Sequence, residues 1–245
     1  MIAFRKASCI FVQIQKSTIM QKIKTLIVSF SNELEYKEIE LFRGAILNAL
    51  QNANVLFHNH VGDNFRYSYP LIQYKRIHKK AAIVCINEGT EAIGEFFSSQ
   101  SFDLLLGERK EHMDVETIRA NETVVQIWDS MFQYHLRRWL ALNEENYQRY
   151  CQLESITDKM FFLERLLTGN ILSFAKGIHL YFDKQVICKI VSSEDPYQLY
   201  YKNVKMMAFD LEFKTNVSLP DYIGLGKGVS LGHGVICRAH TSNNI

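Results

Sequence analysis

PLIQYKRI (Pro70–Ile77), HKK (His78–Lys80) and AAIVCI (Ala81–Ile86) set two β-rich runs in direct succession. A three-residue joint between such runs reads as a hairpin. Working outward, KTLIVSF (Lys24–Phe30) is a further strand. Residues 37–51 carry Ile39, Phe42, Ile46 and Leu50 at helical spacing, with Leu41 and Ala45 widening the stripe. A second helix is expected over 90–98 and a strand at FDLLL, Phe102–Leu106. The order β-α-β-β-α-β is that of a ferredoxin-like unit.

The pattern then begins again. A β run at 123–128 is followed by helices at 143–152 and 156–175, the latter with Ile156, Met160, Leu163, Leu167 and Ile171 in one stripe. Strands are expected at 185–191, 203–214 and 234–238. In the long run Val204, Met206 and Ala208 alternate with polar or flexible neighbours. The phase then slips to Phe209, Leu211 and Phe213, which predicts a β-bulge near Ala208. The expectation is therefore an α+β chain of two tandem ferredoxin-like domains, 20–120 and 121–245, preceded by an extension over residues 1–19.

With 245 residues, 47% hydrophobic and 22% charged, the chain has the make-up of an ordinary globular protein. No apolar run reaches the ~18–20 residues that span a membrane. The start lacks a small-residue cleavage site after its apolar run, which argues against a signal peptide and makes Met20 a candidate translation start. Five cysteines, Cys9, Cys85, Cys151, Cys188 and Cys237, form no CxxC or zinc spacing and fit free thiols in a reducing cytoplasm. Net charge is only +2, but it is uneven: from His58 to Lys80 five Lys/Arg oppose Asp63 alone, whereas from Glu88 to Glu116 eight acids oppose two cations. The basic stretch also holds Phe65, Tyr67, Tyr69 and Tyr74. Basic residues interleaved with aromatics suit single-stranded nucleic acid; a solvated basic hairpin is the competing reading.

Five of the 12 glycines fall between Gly224 and Gly234, in IGLGKGVSLGHGVI (Ile223–Ile236). A cluster this dense needs backbone with positive φ or close approach to a ligand. The spacing fits neither the dinucleotide fingerprint nor the P-loop, because Lys227 is followed by Gly228 rather than Ser or Thr. A mobile hairpin turn and a phosphate-binding loop both remain open.

His58-Asn59-His60 is the strongest catalytic candidate. On an extended segment residues two apart share a face, and Gly62-Asp63-Asn64 reads as a turn that would return Arg66 and Tyr67 beside the histidines. Two imidazoles, a phenol and a cation are the groups that metal-free RNA cleavage requires. A histidine pair on a strand can also chelate zinc, but no third ligand sits at a recognisable spacing; a structural role is the other alternative.

Arg43-Gly44-Ala45, Leu56-Phe57-His58-Asn59-His60, Phe65-Arg66-Tyr67, Tyr69-Pro70-Leu71-Ile72-Gln73-Tyr74-Lys75, Ile86-Asn87-Glu88-Gly89 and the glycine segment occur in this order. Together they resemble the b-type branch of the CRISPR-associated repeat-processing endoribonucleases of the RAMP superfamily. The resemblance covers the chain from about residue 20. It implies two ferredoxin-like domains and metal-independent cleavage of precursor CRISPR RNA, with no cofactor. It also implies roles for His58, His60 and Tyr67 in cutting, and for Gly224, Gly226, Lys227, Gly228, Gly232, His233 and Gly234 in RNA binding. His233 stands where the family often has an aromatic. Arg66, Lys75 and Arg76 are further candidate phosphate contacts. Repeat RNA is the expected partner, with a homodimer and a CRISPR effector complex as protein assemblies to be tested. A non-catalytic RNA-binding subunit of such a complex is the alternative function.

Overall fold

The computed structural model describes residues 22–50, 55–58, 60–61, 64–65, 69–98 and 102–239. The first unit opens with β1 (Lys22–Glu33), a 3-10 turn at Tyr36–Glu38 and α1 (Ile39–Ala49). Glu35 and Glu38 cap that turn reciprocally, the Glu35 N–H donating to Glu38 Oε2 at 2.8 Å. The short α2 (Val55–His58), β2 (His60–Val61) and β3 (Asn64–Phe65) lead to β4 (Ile72–Ile77) and β5 (Lys80–Ile86). The β4–β5 hairpin turns at His78 and Lys79, both with positive φ (50° and 67°), the backbone of a two-residue primed turn. Two one-turn helices, α3 (Gly89–Ala92) and α4 (Gly94–Phe97), precede β6 (Asp103–Leu106), β7 (Arg109–His112) and β8 (Val115–Val124).

The sheet order is β4-β5-β1-β8, which is ferredoxin-like with β8 as its fourth strand. Phe102–Leu106 was the expected fourth strand; instead β6 pairs only with β7 in a separate hairpin. The sequence VETIRANETV of β8 carries no apolar alternation, since Val115–Glu122 are exposed. Its ladder to β1 is what makes it a strand. The first sheet thus runs to Val124, four residues beyond the expected end of the first domain at 120.

The second unit comprises β9 (Ile127–Trp139), α5 (Glu144–Gln152), α6 (Ile156–Gly177), β10 (Cys188–Ser193), β11 (Tyr197–Tyr201), β12 (Val204–Val217) and β13 (Val235–Arg238). Asn143 and Ser155 cap α5 and α6 through side-chain oxygens. On α6, Leu163, Leu167, Ile171 and Phe174 are buried, but Ile156 is 76% exposed, so the stripe begins later than its spacing suggests. They pack on Tyr134, Leu136, Trp139, Phe209 and Phe213 from the sheet.

The sheet order β10-β12-β9-β13 repeats the first. One element is missing from the repeat. A ferredoxin-like unit has a helix between its third and fourth strands, whereas residues 218–234 between β12 and β13 form no helix. That crossover is the glycine segment, whose five glycines each cost about 1 kcal/mol in a helix. The phase slip near Ala208 also resolves differently from expectation. Ala208 pairs with β11 and Phe209 with β9, so the strand changes partner there. The extra residue lies on β9, because Phe209 and Leu211 face Trp139 and Leu136. Arg138, with φ 53°, is at that bulge.

Candidate active site

The backbone between α1 and β4 differs from the expected extended run. His58 closes α2 and His60 opens β2, so the two histidines are not alternate positions of one strand. The expected return does occur: His60 pairs with Phe65 and Val61 with Asn64 across an antiparallel hairpin. The side chains of His58 and His60, and all of Arg66 and Tyr67, lie outside the described residues.

The chain leaving that hairpin is anchored into the second unit. The Tyr69 hydroxyl donates to the Gly224 carbonyl at 2.7 Å, and its ring stands edge-on to Phe174 at 5.0 Å. The Gly224 N–H donates to Gln73 Oε1 at 3.1 Å. Burial pushes the Tyr69 phenol well above its usual range, so it remains a donor.

The glycine segment is a seam joining the sheets rather than a mobile turn. Tyr74 N–H donates to the Ser230 carbonyl at 3.0 Å, Lys227 N–H to Leu140 at 3.2 Å, and Gly234 N–H to Arg138 at 3.0 Å. Gly224, Gly232, His233 and Gly234 are buried, Gly226 and Gly228 half-buried, and Lys227 is exposed. Two glycines are fixed by space as well as by φ. A Cβ on Gly234 (φ 63°) would lie 1.8 Å from the Leu225 oxygen. One on Gly228 (φ 73°) would lie 2.8 Å from the His233 ring and 2.9 Å from Tyr201. His233 stands edge-on to Tyr201 at 5.4 Å, the packing of an aromatic.

The basic candidates separate. Arg76 Nε donates to the Leu34 carbonyl at 2.6 Å, and its guanidinium lies 4.7 Å from the Tyr36 ring. Lys75 is wholly buried, and burial lowers its titration to about 7. Burial, with the charges of Arg138 and Lys75, lowers His233 to about 4. Lys227 keeps its ammonium 5.7 Å from the Tyr201 ring.

A cleft of about 450 Å³ opens where these elements meet, lined by Tyr36, Lys37, Arg138, Tyr200, Lys202 and His233 among others. Its cations oppose Glu40, and Tyr200 is 72% exposed. Arg138 holds its guanidinium 4.0 Å from the Tyr36 ring. Of these residues, sequence reasoning found only His233. A signal existed for the β11–β12 hairpin: a tyrosine-rich run ending at Lys202-Asn203, which both adopt positive φ. None existed for Arg138. A larger groove, about 770 Å³, lies between β8 and β9 and is lined by Arg119, Trp128, Phe132 and Tyr222 among others. None of the expected site residues lines it.

Residues 21–124 match the family model of the Cas6b N-terminal domain and residues 126–239 that of the Cas6b C-terminal domain. The chain belongs to the Cas6b family. A crystal structure of a Cas6b is similar over 89% of this chain and 100% of that one, with 25% identity and a TM-score of 0.80. A crystal structure of a CRISPR RNA processing endoribonuclease Cas6b is similar over the same shares, with 24% identity and a TM-score of 0.69. An uncharacterized protein of Methanocaldococcus jannaschii is 35% identical over 111 residues, which are 45% of this chain and 74% of that protein. The tandem ferredoxin-like fold is therefore that of the Cas6b family, and the glycine segment of this Cas6b chain is the crossover of its second domain. Among the described residues no helix is long and apolar enough to cross a membrane.

Proposed function

We propose that this Cas6b chain cuts precursor CRISPR RNA within its repeats without a metal ion. The ribose 2′-OH gives its proton to one histidine of the pair His58/His60, and its oxygen bonds to the adjacent phosphorus. The bond from phosphorus to the 5′-oxygen breaks, and the other histidine protonates that oxygen. The products are a 2′,3′-cyclic phosphate and a 5′-hydroxyl. Tyr67 and nearby cations stabilise the charge gathered on the phosphoryl oxygens. Family membership supports the reaction class. The β2–β3 hairpin supports the assignment of residues, because the pairing of His60 with Phe65 starts the return strand one residue before Arg66 and two before Tyr67.

The test is incubation of the purified protein with its cognate repeat RNA. Cleavage that persists in EDTA and stops with 2′-deoxyribose at the scissile position is the expected result. His58→Ala or His60→Ala each reduces the rate by roughly 10²–10⁴-fold, the range of a general acid or base. EDTA inhibition reversed by a divalent ion overturns the mechanism, and intact RNA under all conditions overturns the activity.

A further inference from the structure

Of the buried polar atoms left without a hydrogen-bond partner among the described residues, three belong to groups that meet at the domain seam: Lys75 Nζ, Arg138 Nε and His233 Nδ1. The charges of Lys75 and Arg138 both act on the His233 ring. An unpaired buried polar group costs about 1–3 kcal/mol, and a charged one more. Three together call for an explanation, and an anionic ligand that all three could face supplies one.

Each is held in position by its own element. Arg138 is at the β9 bulge, where an extra residue re-aims the side chain, and its N–H donates to Asp210 Oδ1 at 2.6 Å. That bond fixes the backbone and leaves the guanidinium at the cleft beside Tyr36. The Asp210 carboxylate is occupied by Arg138 N–H, Tyr197 hydroxyl and Arg137. His233 forms part of the cleft wall. Lys75 lies on β4 next to Tyr74, which the glycine segment bridges at Leu231. The other charged groups at the cleft are Lys37, Lys202 and Glu40. The seam thus carries more cationic than anionic groups.

We propose that Arg138, His233 and Lys75 form a phosphate subsite for the RNA strand, closed in the free protein by the His233 ring and completed when a phosphate displaces that ring. Arg138 takes one non-bridging oxygen at the cleft, and the Lys75 ammonium takes the other from beneath. A phosphodiester offers two such oxygens on one charge, which suits a guanidinium and an ammonium approaching from different sides. The inference rests on the RNA-processing reading for the identity of the anion. It adds Arg138, and it gives Lys75 a role that its burial in the free protein conceals.

The experiment measures repeat-RNA affinity by fluorescence anisotropy in a His58→Ala/His60→Ala background, so that the RNA stays whole. Salt is varied, at about pH 6 and about pH 8, with and without Lys75→Met or Arg138→Gln. Thermal melts establish that each variant is folded. Either substitution should lower the steepness of log K against log salt, by at most about 0.7, the share of the one single-strand phosphate that the two residues hold together. Lys75 titrates near 7 in the free protein and higher against a phosphate. It should therefore make binding roughly tenfold tighter at the lower pH, and Lys75→Met should remove that component. Unchanged salt slopes, or a pH response that Lys75→Met keeps in full, overturn the subsite. So does inorganic phosphate shifting the Lys75 titration when RNA does not. Cleavage of all-ribose RNA by the unsubstituted protein is scored separately. Cutting with unchanged slopes sinks the subsite alone, whereas altered slopes without cutting sink the nuclease reading alone.

Discussion

Replacing Lys75 by Met should make the free protein more stable, an unusual outcome for a fully buried position. The magnitude follows from the displaced titration. Bringing the ammonium from its ordinary 10.5 to about 7 corresponds to roughly 4–5 kcal/mol, at about 1.4 kcal/mol per tenfold change in proton affinity. Met matches the lysine stem in length and has no charge to desolvate. After repacking, a net gain of about 2–4 kcal/mol is expected, the upper part of the ~1–4 kcal/mol seen when buried ion pairs give way to apolar groups. In a chain this long each kcal/mol moves Tm by about 2–4 °C, so a rise of roughly 4–16 °C is expected near pH 7. The sign with pH is fixed. Below about 7 the lysine is charged folded and unfolded, and the full cost is present. Between about 7 and 10.5 the unfolded chain binds more protons, so wild-type stability rises with pH. Above that range the group is neutral in both states and the cost is gone. Urea unfolding of both proteins from pH 6 to 10 should therefore give a stability gap that narrows as pH rises. A Lys75→Met protein less stable than wild type at pH 7, or a gap independent of pH, would refute the reasoning. With the binding experiment, this separates a lysine kept for packing from one kept for an anion.

Gly234→Ala puts a methyl 1.8 Å from the Leu225 oxygen at a φ of 63°. It should cost more than about 4 kcal/mol, read as a collapse of the urea midpoint or of soluble yield; a near-wild-type midpoint would contradict the close packing of the seam. Tyr134→Phe removes a hydroxyl that donates to the Leu219 carbonyl at 3.3 Å and accepts from the Leu219 N–H at 2.8 Å. The unpaired amide should cost about 1–3 kcal/mol, and an unchanged Tm would show that another group takes its place. His233 titrates at about 4 folded, against its ordinary 6.5. The unfolded chain binds more protons between those values, so this group's contribution, about 3 kcal/mol, is lost as pH falls from 6.5 to 4. His233→Phe, which keeps the edge contact with Tyr201, should lack that part of the acid sensitivity in pH-dependent melts.

The fold was largely legible where periodicity was strong. The stripe of α1, the β4–β5 hairpin and the two capped helices of the second unit stand close to their expected ranges. β8 was hidden because Val115–Glu122 are exposed on both faces, so neither face needs apolar residues. Much of β9 was hidden because Trp128–Met131 are exposed and its bulge at Arg138 breaks the alternation between Leu136 and Trp139. At the candidate site, sequence spacing anticipated the return of the chain after His60. The helical ending at His58 was not visible, since VLFH suits helix and strand alike.

Sequence alone determined the local periods, the ordered motifs and the density of glycine in Gly224–Gly234, because each is a property of neighbours along the chain. Only the tertiary structure decided what those glycines do. They take the place of a crossover helix and let the backbone close against Leu225, Tyr201 and β4. It also decided that Lys75, which reads along the chain as one more surface cation, lies under that seam beside Arg138 and His233. Burial and charge proximity depend on contacts between residues more than 60 positions apart, and no local pattern encodes them.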